Sequence, residues 1–199
     1  MDGLPGSVTV VTVGPAEATK ELRTALAMGA DEAVHVTTAD DLDTIGTAAA
    51  LKDAIAERSY DVILCGKQAT DADNAAVGPR LAALLDLPCV AFVNDLTVAD
   101  GKATAKREVE GVTETWEVDL PAVFTADKGL ATPRYPGIKG IMAAKKKPLG
   151  SSALENATSG STMEALALPA PRAAMVTIEP TEAGMEQLLN ALRNDKKVL

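Results

Sequence analysis

A chain of 199 residues, 47% of them apolar but only 3% aromatic, is long enough for one compact domain with appendages, and its core has to be aliphatic: Ala-rich helices on a Val/Ile/Leu sheet. A formal net charge of −9 argues against nucleic acid as a partner, because neutralising phosphates needs Lys and Arg clustered over much of a surface. No stretch approaches the ~20 apolar residues of a membrane span, and the N-terminus lacks the charged-then-apolar layout of a signal peptide, so no membrane insertion is expected and the chain reads as soluble and intracellular.

Ser7 to Val13, "SVTVVTV", is a β-branched run closed by Gly14-Pro15 and predicts a buried strand. A helix follows from Pro15 to Gly29, with Leu22, Leu26 and Ala30 spaced by four and Gly29 where a C-cap belongs. "AVHV" predicts a short strand that takes up the single histidine, His35, as a strand residue rather than a catalytic base. A second helix over "LDTIGTAAALKDAIAERS" leads into the strand "DVILC". Strands alternating with helices at this spacing predict an α/β fold with an open, mostly parallel, doubly wound sheet and right-handed crossovers. Val62 to Cys65, with no polar alternation, is expected in the middle of that sheet.

Cys65 and Cys89 each sit in an apolar strand-like run and read as buried free thiols, not as a disulfide or metal ligands. After the helix ending near Leu85 the pattern changes. Asp100-Gly101 and Glu110-Gly111 are turn signals between partly alternating runs, which predicts antiparallel hairpins joined to the parallel sheet, with Trp116 packed inward. Gly129 to Gly150 is rich in Pro, Gly and Lys, and Lys145-Lys146-Lys147 reads as a solvated helix end or loop. "SSALENATSGSTM" predicts a mobile connection, "RAAMVTIEP" a last strand, and "TEAGMEQLLNALRNDKK" a last helix with Thr181 as N-cap. The expected division is residues 1–150 as the α/β domain and 151–199 as connector and C-terminal strand-helix arm.

The stretch from Asp61 to Leu85 carries the chemistry. In an open parallel sheet, ligands sit beyond the carboxyl ends of strands, where helix N-termini offer unpaired N–H groups to anions. Gly66 permits close backbone approach; Asp71, Asp73 and Asn74 can cap the next helix or bind a sugar hydroxyl; Gly78-Pro79 permits tight packing at the helix start. A phosphate-bearing nucleotide is the natural ligand, a plain capping turn the other reading. P-loop spacing and a dinucleotide fingerprint are absent from this loop. Nothing points to acid–base or nucleophilic catalysis, since there is one histidine and no serine or cysteine in a recognisable motif.

Four segments in order, "RTALAMGAD" (Arg23 to Asp31), "GKQATDADNAAVGP" (Gly66 to Pro79), "LPAVFTAD" (Leu120 to Asp127) and "PRYPGIKGIMAAKKK" (Pro133 to Lys147), resemble the small (beta) subunit of electron-transfer flavoproteins, and the C-terminal "LPAPRAAMVTIE" and "LLNALRNDKKVL" are similar to that subunit's end. The resemblance covers essentially the whole chain. It implies a nucleotide-binding, adenine-nucleotide-hydrolase-like α/β fold and an electron carrier, not an enzyme. The implied partners are an alpha subunit that holds most of the FAD, dehydrogenases of the acyl-CoA or a related type as donors, and a membrane quinone oxidoreductase as acceptor.

A structural AMP is implied against Val13 and the segment Gly66, Lys67, Gln68, Ala69, Thr70, Asp71, Ala72, Asp73, Asn74, Ala75, Ala76 and Val77, with backbone N–H groups from Asp73 onward reaching the phosphate. Tyr135, Ile138, Ile141, Met142 and Lys145 match the loop that docks onto dehydrogenases, Ile138 as its apolar anchor. Glu108 matches a position near the mobile flavin domain of the partner subunit. The implied compartment is the bacterial cytoplasm, or the mitochondrial matrix in a eukaryote, and no metal is implied.

Family members carry a further strand, loop and helix ahead of the strand matching Ser7 to Val13. These 199 residues have no counterpart of it, and the resemblance places that strand between Ser7–Val13 and Val62–Cys65. Those two strands are therefore expected either without a neighbour, at about 1–3 kcal/mol per buried unsatisfied backbone group, or closed directly on each other. The family also often has a polar side chain at the position of Ala76. Two other readings predict different behaviour: a stand-alone nucleotide-binding sensor or stress-type domain would be a flavin-free homodimer that binds ATP, and an electron-bifurcating relative would hold a second FAD in place of AMP.

Overall fold

A computed structural model describes residues 6–155 and 158–199, which fall into two compact units divided between Met163 and Glu164. In the first unit, β1 (Thr9–Gly14), α1 (Thr19–Met28), β2 (Glu32–Thr37), α2 (Thr44–Ile55), β3 (Val62–Gly66) and α3 (Val77–Leu85) alternate as expected. β4 (Cys89–Ala99), β5 (Lys102–Val109) and β6 (Val112–Asp119) form the antiparallel extension; β7 (Ala122–Ala126), α4 (Ile138–Ala144) and β8 (Leu149–Ala153) complete the unit. Both hairpin turns behave as their residues dictate. Asp100-Gly101 and Glu110-Gly111 all adopt positive φ, the paired left-handed conformation that a two-residue turn between twisted strands requires.

The expected single sheet is not formed; there are two. One has the order β1-β2-β8, all parallel; the other has the order β3-β7-β4-β5-β6, with β3, β7 and β4 parallel and the rest antiparallel. Among the described residues β1 pairs only with β2 and β3 only with β7. They have not closed on each other, so β3, expected in the middle, is an edge strand. The central strand is instead β7, whose Ala122 to Thr125 are all buried.

Two cores follow from this split. Val90, Val93, Ala103, Ala105, Ala122 and Phe124 pack within the five-stranded sheet, and Leu22, Leu26, Ala30, Ala33 and Ala144 join α1, β2 and α4. Trp116 lies on the core-facing side of β6 but at the sheet's edge, 45% exposed, with the Arg107 guanidinium 5.3 Å from its ring centre and its indole N–H donating to Glu114 at 2.9 Å. Cys89 is exposed and Cys65 half-buried, so neither thiol is the fully buried group expected, though both are free. His35 is a buried strand residue. Its Nε2 donates to the Gly14 carbonyl at 3.2 Å and its Nδ1 meets the Thr19 hydroxyl at 3.3 Å, tying β2 to the β1–α1 turn.

In the second unit α5 (Glu182–Asn190) starts as predicted, the Thr181 hydroxyl accepting from the Gly184 amide at 3.1 Å. The strand expected over "RAAMVTIEP" is absent. Residues 164–179 have no ladder partner among the described residues, and a β-prone sequence without a partner does not become a strand.

Phe124→Ala should cost about 3–5 kcal/mol in chemical denaturation, as expected for emptying a fully buried aromatic site, whereas Trp116→Ala should cost about 1 kcal/mol, the scale of an exposed cation–π contact. Equal losses would contradict the placement of the core around β7.

Candidate functional site

Between the facing edges of β1 and β3 lies a cleft of about 1100 Å³. Thr9 and Val11 of β1 form one wall, β3 along its length the other, and the segment from Gly66 to Leu81 and the start of α2 border it. Of the residues expected to hold a nucleotide, Gly66, Lys67, Gln68, Ala69, Ala72, Asn74, Ala75, Ala76 and Val77 line this cleft. Val13, Thr70, Asp71 and Asp73 lie off its wall.

The loop after β3 holds itself in shape. Lys67 donates to Asp127 at 3.1 Å at the end of β7 and stands 5.0 Å from the centre of the Phe92 ring, so its charge is drawn toward β4 and β7. The Asp127 carboxyl is held below its ordinary range first by the Lys128 amide and then by Lys67. Gln68 bonds to the Asp73 carboxylate, and Asp71 accepts from the Ala72 amide at 2.8 Å. Asp73 and Ala75 both take left-handed backbone conformations, φ 52° and 48°, which for an alanine is a strained choice that the surroundings must impose.

This alters two expectations. The helix begins at Val77, not at Asp73, and no side chain caps it: Asp71, Asp73 and Asn74 leave the N-terminus of α3 bare behind its N-cap Ala76. Pro79 offers no N–H and Arg80 donates to the Ala76 carbonyl, so the first-turn donors without a side-chain partner among the described residues are the Val77 and Gly78 amides, beside a cleft large enough for a nucleotide. Gly78 behaves as read. A Cβ there would run into the Thr125 side chain and press on Cys65 at 3.4 Å, so glycine lets α3 settle onto β3 and β7. Burial, with the neighbouring Cys89, pushes the Cys65 thiol up from its ordinary range.

On the opposite side of the cleft sequence reasoning missed Asp43. Its Oδ1 accepts from the Ile45 and Gly46 amides, both at 2.9 Å, capping α2; its Oδ2 accepts from the Gly160 amide at 2.8 Å and the Ser161 hydroxyl at 3.1 Å. An Asp before a helix is a legible cap, but partners so far along the chain carry no local signal. The Gly46 amide bond is the leading cause of a carboxyl pKa lowered to about 2. The Tyr60 hydroxyl, also on the cleft wall, is buried without a hydrogen-bond partner among the described residues.

Of the residues read as a docking loop, Ile138, Ile141 and Met142 lie on the short helix α4, which is pinned from behind, while Tyr135 precedes it and Lys145 is its C-cap. Arg23 donates to the Ala144 and Lys147 carbonyls at 2.8 and 3.0 Å, and Lys147 reaches back to the Leu26 and Ala30 carbonyls at 3.1 and 2.6 Å. Lys147 is therefore no solvated lysine; its cation closes the C-terminal end of α1. Outward stand Tyr135, 91% exposed, Ile138, 83% exposed, and the exposed Ile141, Met142 and Lys145. Glu108 is exposed on β5, opposite Thr113.

The first unit thus presents a cleft beside a helix N-terminus without a side-chain cap, and a short helix that offers apolar side chains to solvent. The family model described as "Electron transfer flavoprotein domain" matches residues 2–157. The chain is 40% identical to the electron transfer flavoprotein subunit beta of Bacillus subtilis (strain 168), over 98% of this chain and 80% of that one. It is 39% identical to the same subunit of Syntrophomonas wolfei, over 98% and 78%, and 37% identical to the mitochondrial subunit beta of Oryza sativa subsp. indica, over 99% and 79%. The chain belongs to the electron transfer flavoprotein family, among its beta subunits, which are electron carriers and not enzymes. No described helix is long and apolar enough to cross a membrane.

Because the folded-state pKa of Asp43 is depressed from 3.8 to about 2, its contribution to stability is present in full above the unfolded value and is lost as pH falls through the folded one. Melting curves of the chain and of Asp43→Asn should differ at neutral pH and converge between about pH 4 and pH 2. A difference that persists unchanged at pH 2 would contradict the assigned bonds.

Proposed function

We propose that this chain, paired with an alpha subunit that holds most of the FAD, carries electrons from dehydrogenases of the acyl-CoA or a related type to a membrane quinone oxidoreductase, with an AMP as a structural ligand of its own. The observation that carries the nucleotide assignment is the bare N-terminus of α3 beside the cleft. With Ala75, Ala76 and Val77 there, phosphate recognition falls to backbone N–H groups and the helix dipole. Gly66 to Ala69 and Asn74 supply the wall for the nucleoside, and Lys67, paired with Asp127, anchors the loop rather than the phosphate. This corresponds to a nucleotide-binding, adenine-nucleotide-hydrolase-like form of the α/β fold. FAD, when bound, supplies the electron-carrying chemistry; this chain's residues hold and orient the assembly.

Docking falls to Tyr135, Ile138, Ile141, Met142 and Lys145. A small apolar patch on a pinned helix suits a weak, fast-exchanging interface with Ile138 as hot spot. Glu108 faces the flavin domain of the partner subunit, where a carboxylate can pair with a cation. The unit over residues 164–199 is an arm for the alpha subunit: Leu166, Leu168 and Met175 are exposed, Leu168 at 95%, a density of bare apolar side chains that a partner surface would cover. The compartment is the bacterial cytoplasm, or the mitochondrial matrix in a eukaryote.

The test is co-expression with a candidate alpha subunit, followed by size exclusion read at the flavin absorbance and nucleotide analysis of the denatured peak. A co-eluting yellow complex releasing one AMP per flavin is expected. A complex releasing a second FAD in place of AMP, or a colourless homodimer binding ATP, would overturn the assignment. In the intact complex Ile138→Asp should slow reduction by the dehydrogenase about tenfold or more, as for loss of a hot spot, without dissociating the subunits.

A further inference from the structure

Helix α4 is seven residues long, and no side chain caps its start at Gly137. So short a helix does not hold itself, because fixing the first turn is unfavourable and few further backbone bonds follow it. Its buried side chain is Ala144, clustered with Leu22, Leu26 and Ala30, and one methyl group is a small apolar anchor. What fixes the helix is a reciprocal pair of cations. From α1, Arg23 Nη1 donates to the Ala144 and Lys147 carbonyls at 2.8 and 3.0 Å; in return Lys147 Nζ donates to the Leu26 and Ala30 carbonyls at 3.1 and 2.6 Å. Each cation closes carbonyls at the C-terminal end of the other segment, where unpaired acceptors and the helix dipole favour positive charge. The two helices approach so closely that position 140 must be glycine: a Cβ on Gly140 would lie 2.8 Å from the Ala27 carbonyl oxygen. On the far side of this contact Ile138, Ile141 and Met142 are exposed.

We propose that Arg23, Gly140 and Lys147 are positioning residues for electron handover: they clasp α4 to α1 so that Ile138, Ile141 and Met142 meet the donor dehydrogenase already ordered. The inference rests on the docking reading given above and extends it from the side chains that meet the partner to those that aim them. None of the three has to touch the dehydrogenase or the flavin. With the clasp broken, α4 would have to be ordered at every encounter, and only the ordered fraction would bind. The electron-transfer step within the bound pair is untouched, so the clasp acts on KM and not on kcat.

The test takes the flavin-loaded complex with the alpha subunit, titrates it as the substrate of an acyl-CoA dehydrogenase supplied with its acyl-CoA, and follows amide hydrogen exchange over 138–144 in the same samples. Gly140→Ala changes no charge and forces α4 off the Ala27 carbonyl; Lys147→Met keeps an aliphatic stem and removes both bonds to α1. Either should raise the KM for the complex about five- to tenfold, leave kcat within about twofold, and speed exchange in α4 while β7 stays protected. Lys147→Arg, which keeps a cation with donors at that place, should stay near the parent KM. Added to Ile138→Asp, Lys147→Met should have no further effect, because the surface that the clasp aims is already lost. Unchanged α4 exchange in both variants would show that the clasp does not order the helix. Faster exchange with an unchanged KM would reduce it to a structural contact, and a fall in kcat or full additivity with Ile138→Asp would place its effect outside docking. Each of these overturns the proposal and leaves the docking reading standing. That reading fails separately, and takes the proposal with it, if the Ile138→Asp complex is reduced as fast as the parent. Should Lys147→Met fail to assemble, Gly140→Ala decides alone.

Discussion

The structure depends on the burial of β7. Ala122, Val123, Phe124 and Thr125 are covered on both faces and bonded along both edges, to β3 on one side and β4 on the other. Parallel strands are found mostly with both faces covered in this way. Through β7 the loop after β3 is brought beside the bulge of β4: Lys67 bonds to Asp127, the Phe92 amide donates to Thr125 Oγ1 at 2.9 Å, and Gly78 seats α3 on the Thr125 side chain. Site geometry and sheet core are therefore one assembly.

The opposite condition holds at β1 and β3. Both are runs of aliphatic and β-branched residues, yet each has an edge without a backbone partner among the described residues, and the cleft opens between those edges. The orphaned Tyr60 hydroxyl belongs to the same wall. A groove with dry flanks, bare helix amides and an unsatisfied hydroxyl is physically incomplete until something occupies it.

Much of this was legible in the sequence, and what was not has identifiable causes. Gly29, the Asp-Gly and Glu-Gly turns and Thr181 act through their immediate neighbours, so their positions alone locate the helix end, the hairpins and the last cap. β8 escaped notice because "LGSSA" has little β propensity and becomes a strand only by pairing with β2; "RAAMVTIEP" has the propensity and lacks the partner. α4 was hidden in a Pro/Gly/Lys-rich stretch because it is held by Arg23 and Lys147 rather than by its own periodicity. The same lysine, as part of a charge run, gave no hint that it folds back onto α1. Within the candidate site, the loop and its glycines were readable, but the bare start of α3 was not, because Asp71 and Asp73 are consumed by Ala72 and Gln68 instead of capping the helix.

The most direct test of this account is whether the bare N-terminus of α3 seats a phosphate. The melting temperature of the flavin-loaded complex, stripped of nucleotide, would be measured with AMP and with adenosine at equal concentration. A rise with AMP and little or none with adenosine is predicted, since only AMP carries the anion that the helix amides would receive. Equal shifts, or no shift with either, would contradict it.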